Sequence, residues 1–474
     1  MQITLPLIER KVKQLNLRNK KVLVVGLGKS GSSAAKFLIR RGAKVTVTDI
    51  LEEDKLKEAA QGLRKQGAHL ELGEHRMESF VDCELIILSP GVPKEITPLK
   101  KAQQKGIPII SEVELAYRFC KGKIIAVTGS NGKTTTVSLL GKMMQKAGYK
   151  VCVAGNIGKP FIELLNKPRT DYYVVELSSF QLETIEKFKP DISLLLNITP
   201  DHMDRYPSFS AYAEAKRRIF LNQTRDDMAI LNADDPACQT IIRELKIRNF
   251  LFSRQKKLGI GIYLKEQNIV SRIEGQERII IPIKDIKIKG VHNIENIMAA
   301  AAVGIVCEIE REKMRYVFSR FSGLEHRMEK VTTIEGVTFY NDSKATNIDA
   351  VSKALQSFDN PIILLMGGRD KGGDFTSLAP LIKEKVKLLL LIGEASGKIA
   401  SSLSGIAPIM FCRTFYEAIE IGFSKANPED VFLLSPGCTS FDMFNNFEER
   451  GEHFKREVIK FKNQRKDNAQ ETII

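Results

Sequence analysis

Seven cysteines are scattered through the 474 residues, with no C-x-x-C pair and no spacing that suits a metal. That excludes a zinc ribbon and argues against a disulfide framework. Most of the seven (83, 120, 152, 238, 307, 412 and 438) sit in apolar runs. They read as buried, reduced thiols of a reducing compartment. No apolar stretch approaches the roughly 20 residues that span a bilayer. The opening Met1-Gln2-Ile3-Thr4-Leu5-Pro6 has no basic segment followed by an apolar one, so no signal peptide is read there. A cytoplasmic protein without membrane insertion is expected. Low-complexity tracts and internal repeats are missing too. The net charge is +15, yet Lys and Arg are dispersed, without aromatic interleaving or a recognisable nucleic-acid module. The surplus reads as scattered surface charge plus sites for small anions, and no nucleic-acid partner is expected.

What is present is a composition of 43% hydrophobic and 27% charged residues, that of a globular protein. The length is too great for one core and suggests about three domains. The first segment alternates strands and helices. Strand Lys21–Val25 enters Gly26-Leu27-Gly28-Lys29-Ser30-Gly31, a helix runs to about Arg41, and a strand from Ala43 to Thr48 ends at Asp49. That order is a dinucleotide-type fingerprint, specific for phosphate or ribose and poor at saying which nucleotide. A strand over Cys83–Leu88 follows, ending in Pro90-Gly91, then a strand from Ile107 to Ile110 and a helix from Glu112 to Phe119. Lys121-Gly122-Lys123 marks the boundary.

The second segment opens with the stretch that organises the chain. An apolar strand, Lys123–Val127, runs into Thr128-Gly129-Ser130-Asn131-Gly132-Lys133-Thr134-Thr135 and a helix to Ala147. A buried strand, a glycine turn and a helix N-terminus form a phosphate cradle. Lys133 can reach terminal phosphates and the Thr134 hydroxyl can hold Mg²⁺. The spacing is G-x-x-G-K-T, with Val127 where the usual motif has its first Gly. Three further strands end at functional-looking loops: Val151–Ala154 before Asn156, Asp171–Glu176, and Asp191–Ile198 before Asp201-His202-Met203-Asp204-Arg205. Ligands of open parallel sheets lie outside the carboxyl ends of the strands, so one cleft can collect the loop, Asn156, Glu176 and His202. Alternation from Leu258 to Lys289, with Gly275 at a turn, predicts antiparallel hairpins; a helix from Asn293 to Val306 follows. The third segment starts near Gly323 and is again α/β, with strands at Val337–Tyr340, Ile362–Met366, Leu388–Ile392 and Val431–Leu434. Residues from Asn463 onward read as a polar, frayed tail.

Individual residues carry two readings each. A carboxylate at Glu176, ending an apolar strand, is a metal ligand or a satisfied cap. His202 between two aspartates is a Mg²⁺ or substrate contact, although hard cations prefer oxygen. Lys216, beside Arg217 and Arg218, reads by default as part of a solvated basic face. Arg327 suits phosphate or adenine. Asp342 suits ribose hydroxyls or a helix cap, and Lys344 a phosphate. The loops 367–373 and 435–442, with their Lys and Ser, suit a carboxylate-bearing ligand.

Taken together, the shortened loop, Glu176-Leu177-Ser178-Ser179-Phe180-Gln181, Asp201–Arg205, His292-Asn293-Ile294-Glu295-Asn296, Asn341–Asn347 and Leu434–Asp442 resemble the Mur ligases over essentially the whole chain. These are ATP-dependent amino-acid-adding enzymes of bacterial cell-wall precursor synthesis. Within the family, the pattern is similar to the branch that joins D-glutamate to UDP-N-acetylmuramoyl-L-alanine. The resemblance implies a monomer of three α/β domains. These are a Rossmann-like 1–120 for the UDP substrate, a P-loop-type 121–322 for ATP with a parallel sheet plus a small antiparallel sheet, and a Rossmann-like 323–474 for the amino acid. It implies ATP and two Mg²⁺ ions, and an acyl phosphate that the amine of D-glutamate attacks. By resemblance, Gly129, Ser130, Asn131, Gly132, Lys133, Thr134, Thr135, Asn293, Asn296, Arg327, Asp342 and Lys344 meet ATP. Thr134, Glu176, His202 and a carbamylated Lys216 hold metal, with Lys133, His202 and Lys216 catalytic. Ser30, Asp49, Gly91, Asn156, Ser178, Gln181 and His202 meet the UDP substrate, and Thr346, Lys371, Ser440 and Phe447 surround D-glutamate. The chain departs from the family at Ile50, where a polar residue is common, and mildly at Ser130.

Overall fold

The computed structural model describes residues 15–156, 158–165, 170–288 and 290–471. The opening hexapeptide read for a signal lies outside the described residues. Three sheets form along the chain. In the first, β1 (Lys21–Val25), β2 (Lys44–Asp49), β3 (His69–Leu72), β4 (Leu85–Leu88) and β5 (Ile109–Ser111) are ordered 3-2-1-4-5, all parallel. The order reverses between β1 and β4, which opens a crevice at the carboxyl ends of these strands. β3 and the helix Glu53–Arg64 were not read from the sequence, although Leu56, Ala59, Ala60 and Leu63 of that helix fall on one face, with Ala60 and Leu63 buried.

The second sheet holds β6 (Lys123–Thr128), β7 (Val151–Gly155), β8 (Tyr172–Glu176), β9 (Ile192–Leu195), β10 (Met228–Asn232), β11 (Arg248–Ser253), β12 (Gly261–Lys265), β13 (Asn268–Ile273) and β14 (Gln276–Pro282). Their order is 14-13-12-11-10-9-6-8-7. The expected hairpins are present, with Gly275 at φ +81° in the turn. They are continuous with the parallel part, because β12 pairs parallel with β11. The third sheet contains β15 (Glu329–Ile334), β16 (Val337–Asn341), β17 (Ile362–Gly367), β18 (Val386–Ile392), β19 (Ile409–Phe411) and β20 (Val431–Leu434), ordered 15-16-20-17-18-19. Only edge strand β15 is antiparallel. Along β17, Leu364 and Met366 enter one core cluster and Ile363 and Leu365 another, so both faces are covered.

The polar C-terminal stretch is not a frayed tail over its described part. One helix runs from Phe447 to Glu471, anchored by buried Phe454, Val458 and Phe461. The anchors precede the stretch from Asn463, whose residues 463–465 are exposed and continue the same helix. All seven cysteines are free, five of them buried. No helix among the described residues is long and apolar enough to cross a membrane. The chain divides into two compact units. One takes the chain up to Ile198, Ser210–Pro282 and Asn296–Phe318, with the first two sheets. The other takes Thr199–Phe209, Ile283–Glu295 and everything from Ser319, with the third sheet.

Candidate active site

The phosphate loop follows β6 and opens the helix Lys133–Lys146. Gly132, the N-cap, sits at φ +85°, and a Cβ there would lie 2.2 Å from Asn296 Oδ1. Glycine is required on both counts. Asn296 is buried and also accepts from Thr136 Oγ1 at 3.3 Å, so this predicted ATP residue abuts the loop. Lys133 Nζ donates to the carbonyls of Gly129 and Ser130, each at 2.7 Å, which holds its ammonium over the turn. Thr134 is half-buried and Thr135 buried at the start of the helix.

Glu176 ends β8 and is 1% exposed. Its Oε1 is 3.4 Å from Asn156 Nδ2, and its Oε2 has no hydrogen-bond partner. A buried carboxylate oxygen without a partner is costly, and a hard cation is the ligand that relieves it. Together with the Thr134 hydroxyl, the donor set therefore fits Mg²⁺. Gly155, at φ +116°, lets Asn156 approach: a Cβ there would come 2.1 Å from the Glu176 carbonyl. Lys216 is not on a solvated basic face. It is 2% exposed, donates from Nζ to the Gly129 carbonyl at 2.9 Å, and lies 4.6 Å over the Tyr212 ring. The Tyr212 hydroxyl in turn is 3.1 Å from Ser130 Oγ. Helical register, which no charge count reveals, turns Lys216 inward, while Arg217 and Arg218 beside it are only half-buried. Ser178 and Gln181 form a capping box on the helix Ser179–Glu183, so both have a structural role whatever else they contact.

In the first sheet the three glycines divide their work as the fingerprint requires. Gly26 adopts φ +92°, a Cβ at Gly31 would sit 1.9 Å from the Gly26 carbonyl, and Gly28 faces open space. Ser30 lies in the first turn of the helix Lys29–Arg40, and Gly91 is exposed after β4. Asp49 braces this turn: Oδ2 accepts from Leu27 N–H at 2.6 Å and Oδ1 from Leu51 N–H at 2.9 Å. Ile50 beside it is 65% exposed.

His202, Asn293, Arg327, Asp342, Lys344, Thr346, Lys371, Ser440 and Phe447 belong to the second unit. Asp342 accepts from Met328 N–H at 3.2 Å and Ser435 Oγ at 3.1 Å; burial pushes it up to about 7, against the opposing pull of Arg327. Lys344 Nζ lies 4.8 Å over the Phe447 ring. A cavity of about 490 Å³ is lined by Asp201, His202, Thr346, Asn347, Ser352 and Lys371 among others. Ser440, which is buried, and Phe447 are not among its lining residues. Sequence reasoning missed Asp201 and Asn347: Asp201 Oδ2 accepts from Asn347 Nδ2 at 3.1 Å, and its Oδ1 lies 3.5 Å from Lys371 Nζ. It also missed Arg450. That guanidinium is 3% exposed and donates to Ser343 Oγ and to the carbonyls of Ser343, Cys438 and Thr439. It thereby ties loop 341–347 to loop 435–440, and burial lowers it to about 10. Asp201 and Asn347 stand in the stretches 201–205 and 341–347 that carry the resemblance, but no local signal marks Arg450, whose partners are distant in sequence.

Three family models match this chain in order: the MurD-like N-terminal domain over residues 20–111, the Mur ligase middle domain over 127–304, and the Mur ligase glutamate ligase domain over 326–438. A UDP-N-acetylmuramoylalanine--D-glutamate ligase of Koribacter versatilis is 46% identical, covering 95% of this chain and 100% of that protein. The protein of the same name from Acidobacterium capsulatum is 47% identical, over 94% of this chain and 97% of that one. Among solved structures, a pseudomurein peptide ligase type C from Methanothermus fervidus matches with a TM-score of 0.61 at 19% identity, covering 94% of this chain and 100% of that chain. UDP-N-acetylmuramate-alanine ligase MurC from Thermotoga maritima matches with a TM-score of 0.58 at 19% identity, with the same coverage. These structures share the fold.

Proposed function

Because this chain belongs to the Mur ligase family, an ATP-dependent family, we propose that it ligates D-glutamate to UDP-N-acetylmuramoyl-L-alanine, with ADP and phosphate as the other products. The observation that carries the reading is the compact phosphate loop set beside Glu176, a buried carboxylate with one oxygen lacking a partner. The names of full-length relatives supply the substrate. We divide the chain into 1–120 for the UDP substrate, 121–322 for ATP and 323–474 for the amino acid, a division that the presence of three separate sheets supports.

In this reading the substrate's terminal carboxylate oxygen attacks the γ-phosphorus of ATP, the bond to the β-phosphate oxygen breaks, and ADP leaves. The D-glutamate amine then attacks the acyl carbon, the carbon–oxygen bond to phosphate breaks, and the amine proton is lost as the amide forms. Lys133 turns from the Gly129 and Ser130 carbonyls to the terminal phosphates, and the amides opening its helix support their charge. Thr134 and Glu176 would hold one Mg²⁺, with His202 and carbamylated Lys216 holding or orienting a second. When bound, such ions would neutralise the phosphate charge. A carbamate makes Lys216 carboxylate-like while keeping an N–H for the Gly129 carbonyl. Asn293, Asn296, Arg327, Asp342 and Lys344 take the nucleotide. Ser30, Asp49, Gly91, Asn156, Ser178, Gln181 and His202 take the UDP substrate. Thr346, Lys371, Ser440 and Phe447 take D-glutamate, with Asp201 holding the Lys371 ammonium at the cavity wall.

The test is phosphate release from ATP by the purified chain. It should require both UDP-N-acetylmuramoyl-L-alanine and D-glutamate. Equal release with L-lysine in place of D-glutamate, or with a folate in place of the UDP substrate, would overturn the assignment.

A further inference from the structure

The phosphate loop is short by two residues against the usual spacing, and its first half is held from outside. β9 ends at Leu195, and the chain there is pinned on several sides. Leu196 N–H donates to the Thr128 carbonyl at 3.1 Å, the Leu196 carbonyl accepts from buried Asn232 Nδ2 at 3.1 Å, and Ile198 N–H donates to Asp235 Oδ2 at 3.2 Å. Asn197 stands between these anchors, 8% exposed. Its Oδ1 accepts from Asn131 N–H at 2.8 Å, its Nδ2 donates to the Asn131 carbonyl at 3.2 Å, and its own carbonyl accepts from Ser130 N–H at 3.0 Å. One carboxamide thus meets both main-chain groups of a single loop residue, as a neighbouring strand would. Gly129 closes the fit: a Cβ there would lie 3.1 Å from Leu196 Cβ and 3.3 Å from the Asn197 carbonyl.

We propose that Asn197 is a positioning residue for phosphoryl transfer, a splint that fixes Ser130 and Asn131 so that the loop meets ATP already in its binding shape. The inference rests on the ligase reading above and adds to it a residue with no predicted role. Its physical basis is pre-organisation. A glycine-rich turn left to itself samples many conformations, and ordering it on binding lowers affinity. The splint also assigns the work within the loop. The amides of Ser130 and Asn131 are spent on Asn197, so the phosphates are met by the amides that open the helix at Lys133 and by the Lys133 ammonium.

Two lost hydrogen bonds in a buried loop correspond to about a tenfold to hundredfold change in an equilibrium constant. The experiment compares the full chain with Asn197→Ala and Asn197→Asp. Mg·ATP binding is measured by calorimetry, phosphate release gives KM and kcat with each substrate varied, and the melting temperature is recorded. Asn197→Ala should weaken ATP binding by about tenfold or more, while the KM for the UDP substrate stays within about twofold. Asn197→Asp sets an acceptor against the Asn131 carbonyl and should be no better than Ala. ATP binding within about twofold of the parent, a parallel rise in the UDP-substrate KM, or recovery in the Asp variant would each overturn the proposal. Should the variants fail to fold, amide hydrogen exchange of the ATP-free parent decides: slow exchange at Ser130 and Asn131 is expected, and exchange at the rate of open chain overturns the splint. Calorimetry and exchange need neither D-glutamate nor the UDP substrate. An ATP effect without ligation would therefore sink the ligase reading and leave the splint standing, and ligation without an ATP effect would do the reverse.

Discussion

Glu112 gives a prediction whose size follows from the structure. It opens the helix Glu112–Tyr117, at the end of the first sheet, and is 2% exposed. Its Oε1 accepts from Ile162 N–H at 2.6 Å, in the segment after β7, and its Oε2 has no partner. Burial pushes its pKa from 4.5 up to about 7, with the Ile162 and Phe161 amides opposing. Nearby Glu114, equally buried, is instead satisfied by Arg118 and by the amides of Glu186, Lys187 and Phe188. The sign of the linkage is set by which state keeps the proton. Below pH 4.5 both states are protonated and Glu112 contributes nothing. Between 4.5 and 7 the unfolded chain ionises while the folded protein holds its proton, so stability falls as pH rises. Above 7 both are ionised and the full penalty of about 3 kcal/mol persists, from roughly 2.5 pKa units at about 1.4 kcal/mol each. Glu112→Gln removes the titration and keeps an acceptor for Ile162. Urea unfolding of both proteins should show the variant gaining about 2 to 3 kcal/mol relative to the parent between pH 5 and pH 8. Other titrating groups cancel in that comparison. A difference that stays constant with pH, or that moves against the variant at pH 8, would refute the reasoning.

Two further outcomes concern the reaction. Lys216→Ala should lower ligation by on the order of a thousandfold and recover part of it with acetate or formate, which can stand in for a carbamate; a fully active variant would remove Lys216 from catalysis. Lys371→Ala should raise the KM for D-glutamate by about tenfold or more, with the KM for ATP little changed, and steady-state kinetics showing equal rises would take Lys371 out of the amino-acid pocket.

How much of this was legible beforehand depends on the range over which the physics acts. The strand–turn–helix units at Gly26–Gly31 and Gly129–Lys133 are local: positive φ demands glycine, and a helix N-terminus attracts phosphate. Those constraints are written in neighbouring residues, so the phosphate loop, the first-domain turn, the ends of β8 and β20 and the hairpins around Gly275 could be read directly. Lys216 shows the limit. Its basic neighbours, Arg217 and Arg218, suggest a solvated face, yet its ammonium is inside the protein.

By itself, then, the sequence determined the alternation of strands and helices, the three-part organisation and the loops proposed to bind ligands, because each follows from periodicity or from the stereochemistry of a few adjacent residues. Tertiary structure alone decided how those loops are held. Asn197 reaches Asn131 across 66 positions, Arg450 reaches Ser343 across 107, and Asn347 reaches Asp201 across 146. A hydrogen bond closed over such a distance leaves no periodic trace, and the cost of a buried polar group, as at Glu112 and Glu176, exists only once the fold has taken its water away.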